Sequence, residues 1–281
     1  MNSKAIKKQL LAAVAMVLVA AVALGSSTYA WFVASGTVTA QGMKVQARAE
    51  GGLAIRWAGQ ASELWATTAS AKMDEAKALL PASTADLAKW TYAKALKANN
   101  SAADEGTYEA ITGKVFGGES NAFSQNDYVV MQPFQIRSTA ADKLAKGLFV
   151  SGVTVTRGAN QSKDLDLAIR VGVRLINEKG TAVGNFIYAP IEGATTNYTW
   201  KDAADGNKPT TVKLATVGTD ADTNSQLVDS AQTVPFVEGN AFLVQVFIWY
   251  EGEDAKLYSD NFVTNNLDVT VDFSSYGFQT A

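Results

Sequence analysis

The 281-residue chain is about 47% apolar and 18% charged, and it contains neither histidine nor cysteine. Those two absences exclude Ser-His-Asp and Cys-His nucleophiles, a histidine general base, the usual Cys/His zinc sites and every disulfide. The apolar fraction is enough for a real core, so the composition points to a folded protein that is not an enzyme and needs no cofactor.

Residues 1–9 carry Lys4, Lys7 and Lys8 and no acid, and Leu10 to Leu24 are fifteen consecutive Leu, Ala, Val or Met residues. Gly25 to Ala30 then turn small or interfacial. A positive start, an apolar stretch short of the roughly 20 residues of a spanning helix, and a small-residue end are the parts of a secretory signal peptide. The pattern predicts a signal over 1–30, with Thr28, Tyr29, Ala30 and Trp31 at the cleavage junction. An uncleaved anchor lengthened by Trp31, Phe32 and Val33 is the alternative, leaving the chain on the membrane as a precursor. Cleavage removes three lysines and no acids, taking the net charge from −3 to −6. A mildly acidic mature chain has no electrostatic footprint for nucleic acid. Without disulfides, its stability must come from core and hydrogen bonds.

Beyond the signal, Met43, Val45, Ala47 and Ala49 alternate with Lys44, Gln46, Arg48 and Glu50, and Leu53, Ile55 and Trp57 follow the Gly51-Gly52 pair. Period two predicts two strands, or one bulged strand, with one wet face. Residues 60–98 are rich in Ala, Lys and Glu. Met73, Ala76 and Leu80 at helical spacing, Pro81 as a stop and Ser83 or Thr84 as an N-cap predict a helical insertion, and the polar stretch 99–126 predicts loop. Strands are expected over 128–137, 148–156 and 167–176, the last with Arg170 and Arg174 opposite its apolar face, then a turn at 177–180 and a return strand over 185–188. Residues 193–233 predict loop with one weak strand near 212–217. Phe242 to Tyr250 reads as a central strand covered on both faces, and Leu267, Val269, Val271 and Phe273 as a closing strand. The sum is a mainly β chain, an antiparallel sandwich over 31–281 with a helical and loop insertion at about 60–126.

Few residues carry chemistry. Asp220, Asp222 and Asn224 have the alternate spacing of a calcium loop, but Ser225 stands where its glycine belongs and Ala231 where its bidentate glutamate belongs, so they are a weak metal candidate. Glu251, Glu253 and Asp254 close the long apolar strand and are the acids on which a carboxylate-based hydrolase would draw. Trp57 and Trp249 lie inside strand patterns and are expected in the core. Trp65, Trp90 and Trp200 sit in polar surroundings and are the candidate ligand contacts, such as for cell-wall glycan or a host surface.

The junction Ser27-Thr28-Tyr29-Ala30-Trp31-Phe32, with a Lys-Lys-Gln start before it and Gly36-Thr37-Val38-Thr39-Ala40 after it, resembles the TasA and camelysin-like exported proteins of Gram-positive bacteria. The Gly42-Met43-Lys44-Val45 strand start, the Val246 to Asp254 block and Leu267 to Val271 are similar to clostridial members of that group. The resemblance implies export cut by a signal peptidase of the SipW type and a jelly-roll-like sandwich. It further implies a secreted or cell-surface structural protein that self-associates into extracellular matrix or biofilm fibres. Trp31, Phe32, Val33, Val38 and Ala40 would then form an assembly strand donated to a neighbour; the alternative is a first strand paired within its own subunit. The metalloprotease activity ascribed to camelysin does not carry over, because no His-Glu-x-x-His helix can be built here.

Overall fold

The computed structural model describes Met16 and residues 44–58, 64–71, 79–96, 107–111, 124–125, 128–157, 165–177, 180–192, 194, 197–218, 225–236, 240–254, 256–257 and 267–280. The strands are β1 (Lys44–Ala49), β2 (Leu53–Trp57), β3 (Thr68–Ala71), β4 (Ala82–Ser83), β5 (Thr91–Ala95), β6 (Thr107–Ala110), β7 (Ser124–Gln125), β8 (Val130–Ser138) and β9 (Lys143–Arg157). After a 3-10 turn at Leu165–Ala168 come β10 (Ile169–Ile176), β11 (Ala182–Tyr188), β12 (Asn197–Asp202), β13 (Lys208–Lys213), β14 (Gln226–Thr233), β15 (Phe242–Tyr250), β16 (Leu267–Ser274) and β17 (Phe278–Thr280). All of them fall in one compact unit, Val38–Ala281.

The chain is mainly β and folds as a sandwich. One sheet runs β14-β9-β16-β1-β3 with β17 also on β9, and the second runs β11-β10-β15-β8-β2 with β7 on β8. Val45 and Ala47 of β1 and Val269 and Val271 of β16 meet Val171, Val173, Val244 and Val246 of the second sheet in a shared core. The first sheet keeps the wet face that its alternation predicts: Lys44, Gln46 and Arg48 lie opposite the buried positions of β1. Gly51 and Gly52, both at positive φ, carry the chain from one sheet to the other instead of closing a hairpin. β1 consequently pairs β16 in parallel, an exception to the expected antiparallel order, since alternation encodes which face is buried and not the direction of the partner.

A third layer covers the second sheet. Its parts are the small sheet β4-β5-β6 and the hairpin β12-β13, which place Leu87, Trp90, Tyr198, Trp200 and Val212 against Phe247 and Trp249 of β15. The Trp90 and Trp249 rings meet edge to face at 5.1 Å. Gly172 leaves the space that Leu87 fills, because a Cβ there would lie 2.5 Å from Leu87 Cδ2. β15 is central and buried on both faces, as its sequence predicts, and the β10-β11 hairpin turns where expected.

Four expectations are corrected. The described residues of 60–98 form β3, β4, β5 and turns, with no helix; Met73 and Ala76 lie outside them. The helix-start chemistry is real but stops after one turn. Thr84 Oγ1 accepts from Leu87 N at 3.0 Å and donates to Lys89 O at 2.6 Å, and Asp86 Oδ1 accepts from Ala88 N and Lys89 N at 2.9 and 2.8 Å. Side chains thus satisfy the local backbone as a turn, and Leu87 at φ 58° ends any helix. Second, the expected loops hold strands, β6 and β7 within 99–126 and β12, β13 and β14 within 193–233; of the weak strand expected near 212–217 only the first two positions are strand, as the end of β13. Third, Arg170 and Arg174 do lie opposite the apolar face of β10, but that face is not a wet one: both are buried, because the third layer covers it. Fourth, Trp90 and Trp200 are each 4% exposed and belong to the core of that layer, so they offer no surface to a glycan. Trp57 and Trp249 are core residues as expected.

Gly52→Ala is expected to destabilise the fold by about 1–2 kcal/mol from the positive φ alone. The new Cβ would also lie 1.9 Å from the Phe278 ring and force it aside, so urea unfolding should show a loss at the upper end of that range or beyond.

Candidate functional site

The two ends of the sandwich differ. At one end, β15 runs out at Tyr250 beside the start of β10, and Glu251 N donates to Ala168 O at 2.7 Å. Glu251 also bridges to Ala82 of β4, with Gly252 N donating to Ala82 O at 2.8 Å, and the Tyr108 hydroxyl of β6 donates to Gly252 O. The turn after β15 is therefore where the third layer is fastened to the second sheet.

Four ionisable groups are enclosed in that fastening. Arg170 donates through Nη1 to Leu167 O and Ile169 O at 2.7 and 2.9 Å and through Nη2 to Asp254 Oδ2. Both side chains of this ion pair are fully buried. Asp254 Oδ1 accepts from Lys256 N at 2.8 Å, which shapes the turn. Glu251 accepts from Trp249 Nε1 and from Glu253 N, each at 3.0 Å. Burial pushes its carboxyl up to about 7, against the opposing pull of the Trp249 indole and the Arg170 charge. Tyr198 donates to Thr84 O at 2.5 Å, and its hydroxyl is held well above its ordinary range by burial first and by the nearby Glu251 charge second. At the surface, Lys89 meets Asp202 at 3.0 Å and links the third layer's two parts. The acids expected to serve a hydrolase are thus spent on an internal network: Glu251 and Asp254 are closed off from substrate.

At the opposite end lies a groove of about 1010 Å³ where the sandwich seam is open. β11 and β14 are the outer strands of the two sheets. Leu144, Leu175, Val183, Leu227, Val228 and Phe242 supply its apolar lining. Farther along, Ala215 N donates to Ile187 O and Gly218 N to Val150 O, so a crossing segment ties the second sheet to the first and closes the seam there. β14 is a poor edge, its register on β9 slipping twice between Gln226 and Thr233. Val183 is half exposed at the groove.

Trp65, the remaining candidate contact, is partly buried under the guanidinium groups of Arg56 and Arg137, whose Cζ atoms lie 4.7 and 4.3 Å from its ring centroid. Thr28, Tyr29, Ala30 and the whole 31–40 assembly segment with Trp31, Phe32, Val33, Val38 and Ala40 lie outside the described residues, as do Asp220, Asp222 and Asn224. Among the described residues no acidic cluster could hold a metal ion. The Arg170-Asp254 pair and the groove are what sequence reasoning missed; an arginine inside an otherwise apolar strand was the one visible signal of the former. No known protein family, curated protein or solved structure matches the chain.

Asp254→Ala strands a buried guanidinium and is expected to cost about 3–5 kcal/mol in urea unfolding, much of it recovered when Arg170→Met is added. Glu251 binds its proton more tightly folded than unfolded, its carboxyl lying near 7 against an ordinary 4.5. The stability this contributes is therefore complete below about pH 4.5 and lost as pH rises through about 7, on the order of 3 kcal/mol. Glu251→Gln should remove that part of the fall between pH 4 and 8, read as the difference from the parent chain.

Proposed function

We propose that the chain is an exported structural protein of the cell surface or extracellular matrix, a subunit that assembles head to tail by donating residues 31–40 to the open seam of a neighbour. The observation that carries this reading is the polarity of the sandwich. The chain enters β1 at Lys44, opposite Asp268, at the same end of the first sheet as Arg157. The groove is lined by Leu144 and Gln279, at the other end of β9. Thirteen residues, 31–43, would span at most roughly 43 Å if fully extended at about 3.3 Å each, short of the roughly 50 Å of the 15-residue β9. A segment leaving Lys44 would use its whole length to reach its own groove and have nothing left to fill it. A neighbour's groove has no such restriction. An arm at one end and an acceptor at the other make a heterologous contact, and heterologous contacts that do not close into a ring propagate as fibres.

The chemistry of the two partners agrees. β11 and β14 each end a sheet beside the groove, and Trp31, Phe32 and Val38 match its apolar floor. The alternation of β1, β2 and β3, of β8, β9 and β10, and of β14, β15 and β16 between the two sheets is in keeping with the jelly-roll-like sandwich that the signal-junction resemblance implies. Export itself rests on the sequence of residues 1–30; among the described residues no helix is long and apolar enough to cross a membrane.

Protein recovered from producing cells should begin at Trp31 by intact mass and form filaments under negative-stain electron microscopy. Filaments should be lost on deleting residues 31–40 and on Val183→Lys, which charges the groove at a half-exposed position without touching the core. A retained Met1, or filaments that survive both changes, would sink the reading.

A further inference from the structure

The margin of the second sheet where β2 meets β8 carries an arrangement that the assembly role leaves unused. Leu53, Ile55 and Trp57 point into the core, so Arg56 points to the outer face, as do Gln135 and Arg137 of β8, which pair with Arg56 and Ala54. The aromatic cluster of the third layer covers β10 and β15 in place of this margin. Trp65 lies against it, with two guanidinium groups on one indole. Arg56 Nε donates to Gln135 Oε1 at 2.7 Å. Arg137 reaches Phe236 O from Nη1 at 3.5 Å and lies over the Phe236 ring at 5.2 Å, and no carboxylate among the described residues forms an ion pair with it.

Two polar hydrogens here are enclosed and without an acceptor: the Nε–H of Arg137 and the indole Nε1–H of Trp65. Each is a donor, and they belong to neighbouring groups. A buried donor left unmade costs about 1–3 kcal/mol, and two cations sharing one partly dehydrated ring repel each other. An oxyanion bound at the guanidinium fork relieves the charge repulsion by neutralising it. Guanidinium is suited to it, since its planar fork matches the two oxygens of a carboxylate or phosphate and it stacks on an aromatic face at the same time.

We propose that Trp65 and Arg137, with Arg56 beside them, form an oxyanion-binding site on the outer face of the second sheet, built for the carboxylate or phosphate groups of an acidic polymer. The indole fixes the guanidinium plane, Arg137 supplies the fork, and the neighbouring Leu64 is exposed. The site shares no residue with the groove or the N-terminal arm, so it stands whether or not the protein forms fibres.

The test is a titration of the full chain, 15N-labelled at its tryptophan indoles, with inorganic phosphate, acetate and chloride at constant ionic strength. Trp65→Phe assigns the Trp65 indole signal. Phosphate or acetate should move that signal along a saturating curve that chloride does not reproduce, and Arg137→Gln should weaken the binding at least tenfold while the other indole signals keep their positions. Arg137→Lys, which retains the charge and loses the fork, should also weaken it and guards against a folding defect in the first variant. A shift equal in chloride, no saturation with either oxyanion, or unchanged affinity in both Arg137 variants would overturn the proposal.

Discussion

Burial of the second sheet on both faces is the constraint on which the rest of the molecule depends. Every residue of β10 is buried, and β15 is buried from Leu243 onward. A sheet enclosed in this way cannot be the outer layer of a two-layer sandwich, so the small sheet β4-β5-β6 and the hairpin β12-β13 are drawn over it as a third layer. The polar groups caught underneath must then be satisfied internally, which is why Arg170, Asp254 and Glu251 converge where that layer is fastened. Such a network is costly to disturb, because removing one partner leaves the other charge buried and uncompensated.

The first sheet is under no such demand. Its outer face remains in water, carrying the Arg48-Asp272 contact at 3.8 Å and the Gln46-Ser70 hydrogen bond at 3.2 Å, and its side chains are free to vary without disturbing the core. Asp272 shows how mild the electrostatics are on this face: partial burial and the nearby Glu50 raise its carboxyl, while Arg48 pulls it down. Two parts of the surface also differ in chemistry. The seam at one end offers apolar floor and strand edges, suited to another β-strand, whereas the β2-β8 margin offers guanidinium and indole donors, suited to anions.

Much of the fold is legible in the residues. Alternation in Lys44 to Glu50 gives a half-wet strand, the unbroken run Phe242 to Tyr250 a doubly covered one, and the turn after Ile176 a hairpin, because each is set by local period or turn chemistry. Among the described residues of 60–98 the helical expectation fails, and the reason is partly local. Alanine and lysine favour helix by tenths of a kcal/mol per residue, while Thr84 and Asp86 bond their own backbone and burial of Leu87 and Trp90 outweighs propensity. The tryptophans mislead in the same direction: polar sequence neighbours say nothing of what packs on Trp90 and Trp200 from a distant strand.

By itself the sequence determined the chemistry that is unavailable, through the lack of histidine and cysteine, the export signal expected over residues 1–30, and the β character of the chain. Those are properties of composition and of short-range period, which need no partner to be expressed. The tertiary structure alone decided that Arg170 would be buried against Asp254, that β1 would lie parallel to β16, that the seam would stay open between β11 and β14, and that Arg137 would lie against Trp65. Each of these joins residues far apart in the chain, and a pairing of that kind is fixed by which faces are left uncovered once the local elements have formed.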